Sequence, residues 1–231
     1  MLELASVDAF YGNIRALQDV SLSVDTGEFL AVLGRNGVGK TTLMRAILGL
    51  MDRTTGSIRL DSQEIGRWRT DQRARAGIAY VPQGRGILPR FSVLDNLRFG
   101  LFANTKGRRE IDEGVFEFFP ALREHLSRLG GNLSGGQQQQ LALARALMVE
   151  PKVMLLDEPT EGIQPNIVEE IEHIITRINA ERGITVILVE QSVSFARRAA
   201  RRFVIMNKGS VAAAGPTAEL HDELVHRYMA V

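Results

Sequence analysis

Three short segments of this chain carry residues whose type and spacing fit work on phosphate esters. The first is Gly34-Arg35-Asn36-Gly37-Val38-Gly39-Lys40-Thr41, followed by Thr42 and preceded by the apolar run Phe29–Leu33. It matches G-x-x-x-x-G-K-[S/T] at every position, between a strand and a helix. Glycines let successive backbone N–H groups curl around a phosphate chain, and a helix N-terminus adds partial positive charge behind them. Lys40 would bring a full charge to the terminal phosphates, and the Thr41 hydroxyl would ligate Mg²⁺. The second segment, Val153-Met154-Leu155-Leu156-Asp157-Glu158, ends a buried-strand pattern in two carboxylates. Ligands of parallel sheets gather at the carboxyl ends of strands. Asp157 is therefore expected beside the Mg²⁺, and Glu158 facing the γ-phosphate, where it can orient and deprotonate a water. The third, Leu133-Ser134-Gly135-Gly136-Gln137, leads into a helix. Taken alone Ser134 is an ordinary N-cap, yet Ser-Gly-Gly at a helix start is also a second anion site. Two such sites in one chain leave two arrangements open: one nucleotide clamped within the chain, or nucleotides shared with another subunit.

The elements that must position these groups can be read from periodicity and breakers. Leu2–Phe10 and Leu17–Val24 read as strands, and Gly27 turns the chain into the strand Phe29–Leu33. A helix from Lys40 to about Leu50 follows, then strands Ser57–Leu60 and Ile78–Val81. From about Ser92 to Glu150 only helical pieces are expected, one opened by Ser92-Val93-Leu94-Asp95 and another spanning Gln138–Glu150. After Pro151 the order is strand Val153–Asp157, helix Asn166–Glu181, strand Thr185–Val189 and helix Ser192–Arg201. A hairpin of Phe203–Met206 and Val211–Ala214 turns at Asn207-Lys208-Gly209, before a short C-terminal helix. Strands alternating with helices imply an α/β fold with a mostly parallel sheet, interrupted by a helical insertion.

Composition excludes several classes. The 231 residues include 28 basic and 27 acidic ones, a net charge of +1 that argues against nucleic acid as a partner. There is no cysteine, so disulfides, thiolate metal sites and Cys nucleophiles are ruled out. His125, His173, His221 and His226 lack metal-ligand spacing. Asn207-Lys208-Gly209-Ser210 is similar to a guanine-reading motif but lacks its carboxylate. Arg197, Arg198, Arg201 and Arg202 are expected on one solvated helix face. The N-terminus lacks a signal-peptide pattern, and apolar runs such as Val186–Val189 are strand-sized. Any membrane crossing would fall to another chain.

The order of phosphate loop, Leu-Ser-Gly-Gly-Gln and Leu-Leu-Asp-Glu-Pro-Thr resembles the ATP-binding subunit of an ABC transporter over essentially the whole chain. The resemblance implies one domain over residues 1–231. Its P-loop NTPase (RecA-like) core would be 1–83 and 152–231, with an N-terminal antiparallel β part and a helical subdomain at 84–151. It implies ATP and Mg²⁺ as ligands, with Gly34 to Thr42 holding the nucleotide and Thr41, Gln83 and Asp157 the metal. Two subunits would stack head to tail, the Ser134, Gly135, Gly136 and Gln137 motif of each covering the other's ATP. Tyr11 falls where the family stacks an aromatic on adenine. Gln83 falls at the loop glutamine that contacts Mg²⁺ and the water. Glu158, Gln191, Gln83 and Lys40 become the catalytic set. The helical subdomain would dock integral-membrane permease subunits at the cytoplasmic face of the inner membrane, served indirectly by a substrate-binding protein.

Two departures refine this. Val189-Glu190-Gln191-Ser192 puts Gln191 where a histidine is usual, and Glu161-Gly162-Ile163-Gln164-Pro165 lacks the usual Asp before its proline. Both resemble the branch of importers for branched-chain amino acids and urea, in which a Glu-Gln subunit pairs with a different ATPase subunit; a homodimer is the alternative. Thr160–Pro165 and Leu133–Gln140 are most similar to the urea type. Rival expectations are a soluble ABC-class ATPase acting on nucleic acid or ribosomes, and an ATP-binding module with little hydrolysis.

Overall fold

The computed structural model describes residues 1–229. Along the chain run β1 (Leu2–Tyr11), β2 (Ile14–Val24), β3 (Phe29–Leu33), α1 (Lys40–Leu48), β4 (Arg53–Leu60), β5 (Gln63–Glu64) and α2 (Thr70–Arg75). Then follow β6 (Ile78–Val81), α3 (Val93–Leu101), α4 (Pro120–Arg123), α5 (Gly135–Leu147), β7 (Val153–Asp157) and α6 (Pro165–Arg182). The last are β8 (Thr185–Glu190), α7 (Val193–Ala199), β9 (Arg202–Asn207), β10 (Ser210–Pro216) and α8 (Asp222–Met229). They form two compact units, Met1–Arg73 with the chain from Thr185 onward, and Ala74–Ile184.

In the first unit β2, β1, β4 and β5 form an antiparallel sheet in that order, while β10, β9, β3 and β8 lie side by side in a mixed sheet in which only β10 and β9 pair antiparallel. Strand β3 runs parallel to both β8 and β9, with Leu33 opposite Glu190 on one side and Ile205 on the other. Its five residues are all buried, as a strand with parallel neighbours on both edges requires. Ala31, Leu33, Phe203 and Ile205 form a core with Ala196 of α7, and Leu224, Val225 and Tyr228 of α8 pack on it. The first turn of α8 is tied down by Arg197, which donates to the Leu220 carbonyl at 2.6 Å and to Asp222 at 2.7 Å.

Helix α1 ends at Gly49, and its last carbonyls find a partner from outside the helix. Arg73, 2% exposed, donates to Ala46 and Ile47 at 2.8 and 2.7 Å, and to Trp68 and Gly66 at 3.0 and 2.8 Å. Burial holds its guanidinium below the ordinary arginine pKa, and Glu64 opposes that.

In the second unit β6 and β7 pair in parallel, Val81 opposite Leu156, and α5 packs against β6, α3 and α6. Ser92 caps α3 by accepting from Asp95 N–H at 3.0 Å. Buried Asn96 on that helix bonds the Leu88 N–H and the carbonyls of Leu88 and Ser92, fixing the preceding loop.

Several expectations are corrected. Helix α5 starts at Gly135 rather than Gln138, because Ser134 supplies its cap. Helix α1 stops at Leu48, where Gly49 takes the left-handed conformation. Strands β2 and β4 begin earlier than expected, at Ile14 and Arg53. Helix α7 ends at Ala199, so the four arginines do not share a helix face. Arg197 binds α8, and Arg202 on β9 pairs with buried Glu28 at 3.2 Å.

Candidate functional site

The first unit carries the phosphate loop. It leaves the carboxyl end of β3 at Gly34, whose φ of 151° and tight surroundings exclude a side chain. A Cβ there would lie 2.7 Å from the Met206 carbonyl oxygen and 2.8 Å from Val38 Cγ2. Gly37 and Gly39 also have positive φ, and Gly39 is the N-cap of α1 with no side chain closing the helix end. A helix start without a side-chain cap can turn its backbone N–H groups to an anion. Lys40, 5% exposed, folds back so that its Nζ donates to Gly34 O at 2.8 Å and Arg35 O at 3.1 Å. Arg35 and Asn36 line a cleft beside the loop, Thr41 is exposed and Thr42 is buried.

Because β3 and β8 are parallel with Leu33 opposite Glu190, Gln191 emerges next to the loop and lines the same cleft as Gly34, Arg35 and Asn36. Glu190 is buried and accepts from Gln191 N–H at 3.0 Å, shaping the turn before Ser192 caps α7. Tyr11 ends β1, 38% exposed, with the Arg45 guanidinium 5.4 Å from its ring centre.

The second unit carries the carboxylates. Asp157 is fully buried at the end of β7 and accepts from Tyr80 Oη at 3.1 Å. Glu158, 9% exposed, has φ 46°, a left-handed conformation uncommon outside glycine and enriched at functional turns. Gln83 spans two acids, its Nε2 lying 2.7 Å from Glu161 and 3.4 Å from Glu158. The unit thus brings Gln83, on the loop after β6, to the carboxyl end of β7, where Asp157 closes the strand and Glu158 follows it. Among the described residues no group of three or more His, Cys, Asp or Glu is placed to hold a metal. Hydroxyl, amide and carboxylate oxygens suit Mg²⁺, which commonly takes one or two carboxylates and completes its shell from substrate phosphates and water.

Ser134 forms a full capping box. Its hydroxyl accepts from Gln137 N–H at 3.3 Å, and the Gln137 Oε1 accepts from Ser134 N–H at 3.0 Å. Gly135 and Gly136 form the first turn behind it. Arg85, not singled out from sequence, braces this segment by donating to Gln138 at 2.9 Å. Tyr80, Arg85 and Glu161 gave no separate signal in the sequence, since each acts through contacts between distant segments.

The sequence pattern of the ABC transporter family matches residues 17–161. The high-affinity branched-chain amino acid transport ATP-binding protein BraG of Pseudomonas aeruginosa is 40% identical over 212 residues, 91% of either chain. The spermidine/putrescine import ATP-binding protein PotA of Haemophilus ducreyi is 33% identical over all of this chain and 62% of its own length. Among solved structures, the dimeric post-hydrolysis state of the ATP-binding cassette MJ0796 with ADP and Pi aligns with a TM-score of 0.81 at 27% identity. That alignment covers 94% of this chain and 99% of the cassette. The ADP conformation of MJ1267 gives 0.82 at 26%, over 95% and 92%.

Proposed function

Since the chain belongs to the ABC transporter family, as one of its ATP-binding subunits, we propose that it powers an importer of branched-chain amino acids. It is an ATPase coupled to transport. The observation that carries the nucleotide reading is the loop itself, with Lys40 buried at its mouth and an uncapped helix behind it. The solute rests on similarity: the branched-chain relative is 40% identical, against 32–36% for polyamine, methionine and sulfate relatives. The Thr160–Pro165 and Leu133–Gln140 segments keep urea as the second reading.

We assign the roles by chemistry. Backbone N–H groups from Gly34 to Thr42 hold the phosphates, Lys40 neutralises the terminal ones, and Tyr11 stacks the base. Thr41, Asp157 and Gln83 would hold Mg²⁺, whose charge offsets that of the β- and γ-oxygens. Glu158 orients and deprotonates the water, and Gln191 donates an amide N–H to the terminal phosphate. The Ser134–Gln137 helix start serves a partner ATPase subunit's nucleotide, with a heterodimer as the assembly. No helix among the described residues is long and apolar enough to cross a membrane. A permease docked on residues 84–151 takes that part, with the subunit peripheral on the cytoplasmic face.

The test is reconstitution with permeases and a binding protein of the branched-chain amino acid importer class. Leucine, isoleucine or valine should stimulate ATP hydrolysis and uptake. Stimulation by urea alone would select the second reading, and stimulation by neither would overturn the solute class.

A further inference from the structure

We propose that His226, on the C-terminal helix α8, is a contact for the terminal phosphate of the bound nucleotide, standing beside Gln191; this rests on the nucleotide reading above. The end of the loop that meets the terminal phosphates is marked by Lys40, whose ammonium lies on the carbonyls of Gly34 and Arg35. A lysine in this motif reaches the β- and γ-phosphates, so those phosphates come to the same end of the loop. A cleft of about 490 Å³ shares Gly34 and Arg35 with that end of the loop, although Lys40 itself does not line it. Gly34, Arg35 and Asn36 form one side of it, Gln191 another, and Val225 and His226 of α8 a third.

The polar side of that cleft suits an anion. Its lining includes a guanidinium, an imidazole and two side-chain amides and no carboxylate, with Val193, Val225 and Met229 making up the apolar remainder. Gln191 offers a neutral amide only, whereas an imidazole N–H donates whether the ring is neutral or charged. Helix α8 is also placed rather than trailing. Leu224, Val225 and Tyr228 pack on the core that contains Leu33, the residue before the loop. Arg197 pins its first turn through Asp222 and the Leu220 carbonyl. With its apolar side on that core, the helix leaves His226 exposed at the cleft.

The contact should discriminate nucleotides, because only a triphosphate reaches it. Calorimetry on the full chain would compare Mg-ADP with the non-hydrolysable β,γ-imido analogue of Mg-ATP, for the natural protein, His226→Ala and His226→Gln. The expected result is roughly tenfold weaker analogue binding in His226→Ala, unchanged ADP binding, and partial recovery in His226→Gln, as for loss of one bond to a charged group. Equal loss for both nucleotides, or no loss for either, would overturn the proposal. Failure of the natural protein to bind either nucleotide would instead remove the nucleotide reading beneath it. A second readout needs no folded alanine variant. In histidine-labelled protein, the His226 resonance, identified by its absence in His226→Gln, should shift with the analogue and stay in place with ADP. A resonance that moves with neither overturns the proposal.

Discussion

The Lys40 ammonium rests 2.8 Å from the carbonyl oxygen of Gly34, six residues earlier in the chain, inside the loop it closes. The cation is therefore shielded from solvent and held by carbonyl dipoles, which phosphate oxygens would replace with full charges. Lys40→Ala should lose nucleotide affinity by at least about a hundredfold. A unit charge at 4 Å and an effective dielectric of 20 contributes about 4 kcal/mol before desolvation is subtracted. Calorimetry with ATP checks this, and undiminished affinity would remove the phosphate-loop assignment.

Glu158→Gln should keep Mg-ATP binding while lowering single-turnover hydrolysis by about 10² to 10⁴, the usual contribution of a general base. The amide can still accept from Gln83, so the turn at φ 46° should persist. Gln191→His should be nearly neutral, because the amide already holds the phosphate geometry. The measurement belongs on the complete transporter with the partner ATPase silenced. A rate indifferent to Glu158→Gln means that the base lies elsewhere.

Ser134→Arg should leave nucleotide binding by the isolated chain intact and block ATP-dependent association. Ser134→Ala is the control for the cap itself, whose loss costs about 1 kcal/mol of helix stability. Sizing or crosslinking with ATP under non-hydrolysing conditions reads the outcome. If Ser134→Arg abolishes binding by the monomer, one nucleotide is clamped within a single chain.

Arg73→Met should destabilise the protein by about 2–4 kcal/mol, because four carbonyls lose a buried charged donor. Urea unfolding followed by circular dichroism would show a lowered midpoint. An unchanged midpoint would mean that water replaces the guanidinium at no cost.

What the sequence disclosed depended on whether the signal was local. The strands Phe29–Leu33, Ile78–Val81 and Val153–Asp157 were legible to the residue, since apolar runs bounded by Gly, Pro or acids need no partner to be recognised. The loop, the Ser134 cap and the Asp157-Glu158 pair were equally local. Helix α2 and strand β5 were missed for the opposite reason. Six residues give no helical period, and α2 is built around one arginine reaching carbonyls of α1. Strand β5 is two residues paired to the edge of β4. The arginines after Phe195 misled because spacing cannot show that Arg197 turns to α8 while Arg202 belongs to a strand.

The turn between β9 and β10 bears on how this protein comes into being. Gly209 donates to the Val38 carbonyl at 2.8 Å and accepts from Gln18 N–H at 2.8 Å. A Cβ on it would stand 2.4 Å from the Ala16 carbonyl oxygen, so the brace is fitted to glycine alone. The phosphate loop leaves the ribosome early, yet the backbone that seats it is synthesised near the end of the chain. Nascent chains stopped before Gly209 would carry the complete motif without its support.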